Sequence, residues 1–422
     1  MHFRFMSDRT GGGVRRWISG ALALAALAGM LGIPAAAIAQ TTVKVSTAAQ
    51  LQSAVASANG SGGNQIIALA DGTYTVTGTL HVSATHVTIT SQSGIRENVI
   101  IQGDAMSANA AVQDLILADG TYFTLSNVTL QKAGWHLLQI AGESGADNAL
   151  VHNVVFRDGY QQLLKVSVDQ TSYAQTADNG VVEDSLFEYT AGIGPEYYIG
   201  GIDIHAGNNW IVRRNTFKSI ISPDTTVAEF AVHVWDHSSN ATVERNLIIN
   251  CDRGIGFGLG NASTSGNTGG IIRNNMIYHD PNDGQFADVA IDLETSPGSQ
   301  VYNNTIYTLH NYPNAIEYRF ATTSGTLIVN NLANHAIDAR DGATGTSAAN
   351  VTNAAAAWFV NPSQGDLHLA AAVSGVVGVG QAVSGLTDDF DGSPRPSSGI
   401  DIGADQYASA IKPNPPTNVK VQ

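Results

Sequence analysis

The chain has 422 residues, a formal net charge of −15, 44 glycines and only 13% charged residues. That charged fraction is about half the usual share, which excludes a disordered chain and, with so many glycines, argues for a turn-rich β protein over a helical bundle. The acidic balance opposes nucleic acid and anionic membranes as partners, and the single cysteine, Cys251, excludes an internal disulfide or a cysteine-based zinc site.

Residues 1–39 read as an export signal. Arg4, Arg9, Arg15 and Arg16 form a basic start, an apolar run follows from Ala21 to Ile33, and Ala37-Ile38-Ala39 is a small-x-small cleavage site. The apolar run is short for a membrane span. The four arginines and Asp8 give this leader +3, so the total of −15 leaves −18 on the remainder. The expected product is a secreted, periplasmic or cell-surface monomer with no membrane span.

The main domain is expected over 40–407. Ala48 to Ser57 has the apolar spacing of a short amphipathic helix, placed to cap a repeat array. Ile66 to Leu69 and Asp71-Gly-Thr-Tyr74 follow as a strand and a turn.

A seven-residue pattern then recurs. It reads Leu150-Val-His-Asn-Val-Val-Phe156, Val181-Val-Glu-Asp-Ser-Leu-Phe187, Ile211-Val-Arg-Arg-Asn-Thr-Phe217 and onward to Leu327-Ile-Val-Asn-Asn-Leu-Ala333. The closing positions 130, 156, 187, 217, 248, 277, 306 and 333 are spaced by 26 to 31 residues. Such a unit holds two or three short strands, too little for a propeller blade of about 40 residues. The period predicts an all-β, single-stranded parallel β-helix, a solenoid with a short N-terminal capping helix. Asn215, Asn246, Asn275, Asn304 and Asn331 are expected at its corners, in the left-handed conformation and with their amides stacked in a ladder.

Each coil carries a further strand, such as Gly201-Ile-Asp-Ile-His205 or Ala231-Val-His-Val-Trp235. Strand alternation turns its third and fifth residues outward. One outward column is then Gln139, Lys165, Asp203, His233, Gly256, Asp292, Glu317 and Asp338; the other is Ala141, Ser167, His205, Trp235, Gly258, Glu294, Arg319 and Arg340. Together they predict an exposed strip of acids, histidines and arginines. Gly256 and Gly258 leave either a gap for a sugar ring or a tightly packed spot. Stretches 168–200, 218–230 and 278–289 are long enough to wall the strip. After Asn361 the period fades. Asp388 to Pro396 and Ile400 to Asp405 are expected to form a closing coil, and residues 408–422 a Pro-rich tail.

The Asp-Gly-Thr-Tyr opening, the Asn-cornered coils and the Asp-Ile-Gly-Ala-Asp405 ending resemble the pectate-lyase-like superfamily of right-handed β-helix proteins. The resemblance implies a carbohydrate-active protein, with lyases, hydrolases, esterases and adhesins all represented on this fold. Elimination on an acidic polysaccharide needs a base and a cation or donor for the uronate carboxylate. The catalytic candidates are His205, His233, Asp203 and Arg319. The substrate-binding candidates are Lys165, Trp235, His237, Arg253, Tyr197 and Tyr198, with Lys165 also eligible as base. Asp292 and Glu294 are candidate calcium ligands or partners of Arg319 and Arg340 in a salt ladder. Asp280 to Gly284 is a turn rather than a calcium loop. A glycoside hydrolase using Asp203, Asp292 or Glu294, and a non-catalytic binding or surface-attachment module, are the alternatives.

Overall fold

A computed structural model describes residues 40–262, 266–280 and 287–408. The expected export signal and nearly all of the expected Pro-rich tail fall outside these residues, as does the Pro281–Gly284 part of the expected turn. Among the described residues three long sheets of twelve, ten and ten strands run in parallel, and the chain winds between them as a right-handed parallel β-helix. Each coil lends one short strand to each sheet. Val181–Glu183, Leu186–Glu188 and Ile202–His205 make one such coil. It lies in register under the next through Val182↔Val212, Phe187↔Phe217 and Ile204↔Val234. No helix among the described residues is long and apolar enough to cross a membrane.

The interior is a set of stacks. Inward residues of successive coils meet at the strand spacing of about 4.8 Å, so like side chains pile on like. The buried rings of Phe156, Phe187 and Phe217 stack at 4.6 and 4.8 Å with interplanar angles of 3° and 14°. The helix runs Ala48–Ser61, four residues beyond the expected end. The Thr47 side chain caps its start by accepting from the Gln50 amide, Gly62 ends it at φ 81°, and Leu51, Ala54, Val55 and Ala58 are buried.

The corner between the first two strands of each coil differs from expectation in one respect. The left-handed residue precedes the ladder asparagine: Arg214, Arg245, Asn274, Asn303 and Asn330 have φ between 53° and 59°, as do Asn153 and Asp184 before Val154 and Ser185. The corner divides two jobs. An outward residue makes the turn, and the next asparagine keeps its amide inside. Asn215, Asn246, Asn275 and Asn304 each donate to the amide oxygen of the asparagine one coil on, at 2.9–3.1 Å. Asn246 also donates to the Val212 carbonyl, and its oxygen accepts from the Asn215 backbone amide. No amide in this run is left wanting a partner.

The expected closing coil does not form. Residues beyond Ala355 instead run back along the outside of the solenoid as a strap. Phe359–Asn361 pairs antiparallel with Asp366–Leu369. Phe359, Leu367, Leu369, Val376, Phe390 and Ile402 cover Met276, Tyr278, Tyr307 and Leu332. Strap carbonyls accept from the corners beneath: Phe390 from Arg245, Asp388 from Asn274, Asp401 from Asn303 and Gln381 from Asn330. The physical reason is apolar. From Leu247 onward the outward positions of the second strand turn hydrophobic, and that wall requires a cover.

Two outcomes follow. Asn275→Ala takes from the Asn246 backbone amide its acceptor, from the Asn246 side-chain amide one of two acceptors and from the Val243 carbonyl a donor; at about 1–3 kcal/mol per buried orphan, thermal unfolding should drop clearly, whereas Asn109→Ala in an exposed turn should not. Within the strap, burial opposes protonation of His368, but hydrogen bonds to Asp366 and Asp391 and the charge of Asp405 lift its pKa to about 10. Its imidazolium therefore stabilises in full below the ordinary histidine value of about 6.5 and the contribution is lost as pH rises through about 10. The melting temperature of the wild type should fall over that window more than that of His368→Gln.

Candidate functional site

The third sheet carries the predicted strip, and its register is the expected one. Gln139, Lys165, Asp203, His233, Gly256, Asp292, Glu317 and Asp338 pair in that order, coil by coil. His205 lies against Trp235, and Glu294 against Arg319 and then Arg340. The strip starts two coils earlier than expected, with Leu80–Val82 and Ile116–Ala118.

It is not exposed. Lys165, Asp203, His205, His233, Asp292, Glu294 and Glu317 are all buried. Of the stretches expected to wall the strip, 168–200 reaches its residues through Gln170 and Tyr173 and 218–230 through Glu229.

Under that cover the strip divides in two. The first part centres on Asp203. One carboxylate oxygen, Oδ2, meets the Lys165 ammonium and the His205 Nε2 at 3.1 Å. The other, Oδ1, accepts from the Trp235 indole at 2.7 Å. Lys165 Nζ also contacts His205 Nε2. His205 Nδ1 meets Asp236 Oδ2 at 3.0 Å, and Asp236 further accepts from Gln170 and Tyr173, both at 2.7 Å. Lys165, Ser167, Gln170, Tyr198, His205 and Trp235 line an open cleft of about 350 Å³.

The electrostatics follow from these contacts. Burial disfavours the Lys165 ammonium, but the charge of Asp203 outweighs it and holds the pKa above the ordinary lysine value. Burial pushes Asp203 up, yet Lys165 and His205 hold its carboxyl well below the usual range. His205 is disfavoured as a cation by burial and raised on balance by Asp203 and Asp236. Asp236 is brought down to about 2 against burial by bonds from His205, Tyr173 and Gln170.

The second part is a salt ladder. Arg319 donates to Glu294 at 2.9 Å and Asp341 at 3.0 Å, while Glu317 accepts from Arg340, Tyr312 and Asn314. Asp203 and Glu317 stand four coils apart, roughly 19 Å at the ordinary strand spacing, so Arg319 does not join His205 and Lys165. Asp292 is raised well above the usual carboxyl value by burial and by Glu294 and Glu317. Calcium needs six to eight oxygens. Asp292 keeps one carboxylate oxygen without a partner, whereas Glu294 is engaged by Arg319 and by the Gly260 amide. The pair does not fit calcium.

The glycines between the parts are packed. A Cβ on Gly256 would lie 2.6 Å from the Phe230 ring, and one on Gly258 1.7 Å from the Glu294 carbonyl. No room for a sugar ring remains there. Arg253 caps this spot, donating to the Ala228 carbonyl and lying 4.4 Å from the Phe230 ring centre. His233 is fully buried, with Nδ1 3.1 Å from Glu229 and Nε2 3.2 Å from the Gly258 carbonyl. His237 packs on Tyr173 with ring centres 4.4 Å apart. Tyr197 is exposed, its ring 6.4 Å from that of Tyr198.

Sequence reasoning missed Asp236, Glu229, Gln170 and Tyr173. Asp236 follows directly on Trp235, so its position at a strand end was a usable signal. The others lie in loops, where no periodicity predicts direction. Two groups of three ligating side chains occur among the described residues: His152, Glu183 and Asp184, and Asp203, Glu229 and His233.

No protein-family model matches the chain, and no curated protein does. Among solved structures, pectate lyase Pel9A is 13% identical over 87% of this chain and 97% of its own, with a TM-score of 0.51. The chain has the pectate-lyase-like fold. Looser likenesses are an alginate lyase from Paenibacillus sp. str. FPU-7 (17% identity, 66% and 97% coverage, TM-score 0.44) and a mannuronic acid specific family 6 lyase from human gut microbiota (14%, 67% and 68%, 0.43).

Asp236 ties the 168–180 loop to the sheet through Gln170 and Tyr173. Bonds to a charged group contribute about 1.5–3 kcal/mol each. In Asp236→Ala, amide exchange across residues 169–174 should speed up by about tenfold or more, with the sheet strands unchanged.

Proposed function

We propose that the chain is an exported polysaccharide lyase that cleaves an acidic polysaccharide by β-elimination. The observation that carries this reading is the convergence of Lys165 and His205 on one cleft beside the Tyr198 and Trp235 rings. Export rests on the leader in residues 1–39.

Elimination from a uronate asks for three things: charge neutralised at the carboxylate, a base for the C5 proton and a donor for the leaving oxygen. The Lys165 ammonium, anchored by Asp203, supplies the first. Asp236 is ionised and can only accept, so His205 Nδ1 carries a proton toward it, while Nε2 lies against the Lys165 ammonium and Asp203 Oδ2. His205 serves as the base once a substrate carboxylate draws the Lys165 ammonium off Nε2, with Asp236 fixing the ring as a buried carboxylate fixes a catalytic imidazole. Tyr198, half in solvent at the rim, offers a hydroxyl to the leaving oxygen, and its ring with that of Trp235 offers faces for sugar. His233 has both ring nitrogens engaged and acts as a positioning residue. Hydrolysis by Asp203 with Asp292 is disfavoured. Three coils separate them, roughly 14 Å, beyond the ~6.5–9.5 Å of an inverting pair.

Incubation with alginate, pectate and glycosaminoglycans, read by ultraviolet absorbance of the unsaturated product, tests this. His205→Ala should lower kcat by about 10²–10⁴-fold, and Lys165→Ala should raise KM as well. Reducing ends without that absorbance would overturn elimination, and sugar binding with neither signal would favour the binding module.

A further inference from the structure

The contacts of His233 bring its ring together with two carboxylates in one place. The Gly258 carbonyl can only accept, so the His233 nitrogen facing it at 3.2 Å, Nε2, carries the ring proton. In a neutral imidazole Nδ1 is then a bare lone pair. It points at two carboxylate oxygens, Glu229 Oε2 at 3.1 Å and Asp203 Oδ1 at 3.7 Å. Three electron-rich atoms thus face one another, with His233 fully buried and Glu229 partly exposed. A histidine whose far nitrogen donates to a backbone carbonyl is the usual second contact of a metal ligand, since that bond fixes the tautomer and the ring direction.

A second observation comes from Gln162. It is fully buried, and both atoms of its amide lack partners. A buried amide with four unmet hydrogen-bonding positions demands an explanation. A Cβ on Gly200 would lie 3.2 Å from Gln162 Cγ and 3.1 Å from Glu229 Cβ, so the two side chains flank the same glycine.

We propose that Asp203, Glu229 and His233 hold a divalent cation of the zinc class, with the Gln162 amide oxygen as a further donor. One imidazole nitrogen among carboxylates suits a borderline metal, whereas calcium takes oxygen only. The two oxygens of Asp203 divide between neighbours: Oδ2 serves Lys165 and His205, while Oδ1 accepts from the Trp235 indole and turns its other lone pair to the cation site. The site stands on this geometry whatever reaction the cleft performs, and its test needs no substrate.

The full-length exported chain, stripped with chelator and checked by circular dichroism, would be titrated with Co²⁺ and followed by its visible absorbance, then with Zn²⁺ by calorimetry. The expected result is one equivalent of Co²⁺ per chain, displaced by Zn²⁺ and not by excess Ca²⁺. Glu229→Gln, an isosteric change on a loop, should weaken uptake by at least about tenfold, and His233→Ala should abolish it. His152→Ala should leave it intact. Absence of stoichiometric uptake would overturn the assignment and leave His233 as an imidazolium between two acids. Uptake lost in His152→Ala and kept in Glu229→Gln would overturn it too, moving the metal to the His152, Glu183 and Asp184 group.

Discussion

Every feature of this molecule is subject to one constraint: each side chain has a counterpart about 4.8 Å above and another below. Apolar groups and amides profit from that repetition. Phenylalanine stacks on phenylalanine, and each asparagine amide satisfies the next. Charges do not profit, because like charges at this distance repel. The outer face of the first sheet resolves this by alternation, with His152, Glu183, Arg213, Glu244 and Arg273 in sequence on successive coils. Lys165 beside Asp203 beside His233 follows the same rule. Asp292 beside Glu317 breaks it, and there a carboxyl is forced toward its neutral form.

The buried cluster around Asp203 adds a second layer to that rule. A rigid sheet places the charged groups, and loops remove them from water. In the lower dielectric each contact strengthens, and each missing partner costs more. This explains why Asp203 has every close neighbour it has: an ammonium, an imidazole and an indole. It also explains why Asp236 recruits two loop residues as well as His205. Chemistry at such a site is set by which contacts a ligand can take over, and those nearest the cleft are the contacts of Lys165 with Asp203 and His205.

The winding and its register were legible because they rest on periodicity. A spacing near thirty residues, with inward Val, Ile and Phe, places Asp203 next to His233 with no knowledge of coordinates. The site was legible only as a column. Whether a column is open or roofed depends on loops such as 168–180, whose paths follow from individual contacts of Gln170 and Tyr173. The glycines at 256 and 258 read equally as gap or as packing, and Phe230, remote from either reading, decided it. The strap was missed although its signal was present. Leu247, Ile249, Met276, Tyr278 and Tyr307 are outward-facing yet apolar, and such residues need something to lie on them.

That strap changes how the array can come apart. A stack coupled only between nearest neighbours behaves like a row of dominoes, free to peel one winding at a time from either end. Arg245, Asn274, Asn303 and Asn330 are instead laced to a single length of chain. The windings from 245 to 330 must loosen together or not at all, while those before them, including the one that bears Lys165, keep their independence. The cleft of Lys165 and His205 thus lies among the windings that precede the laced ones.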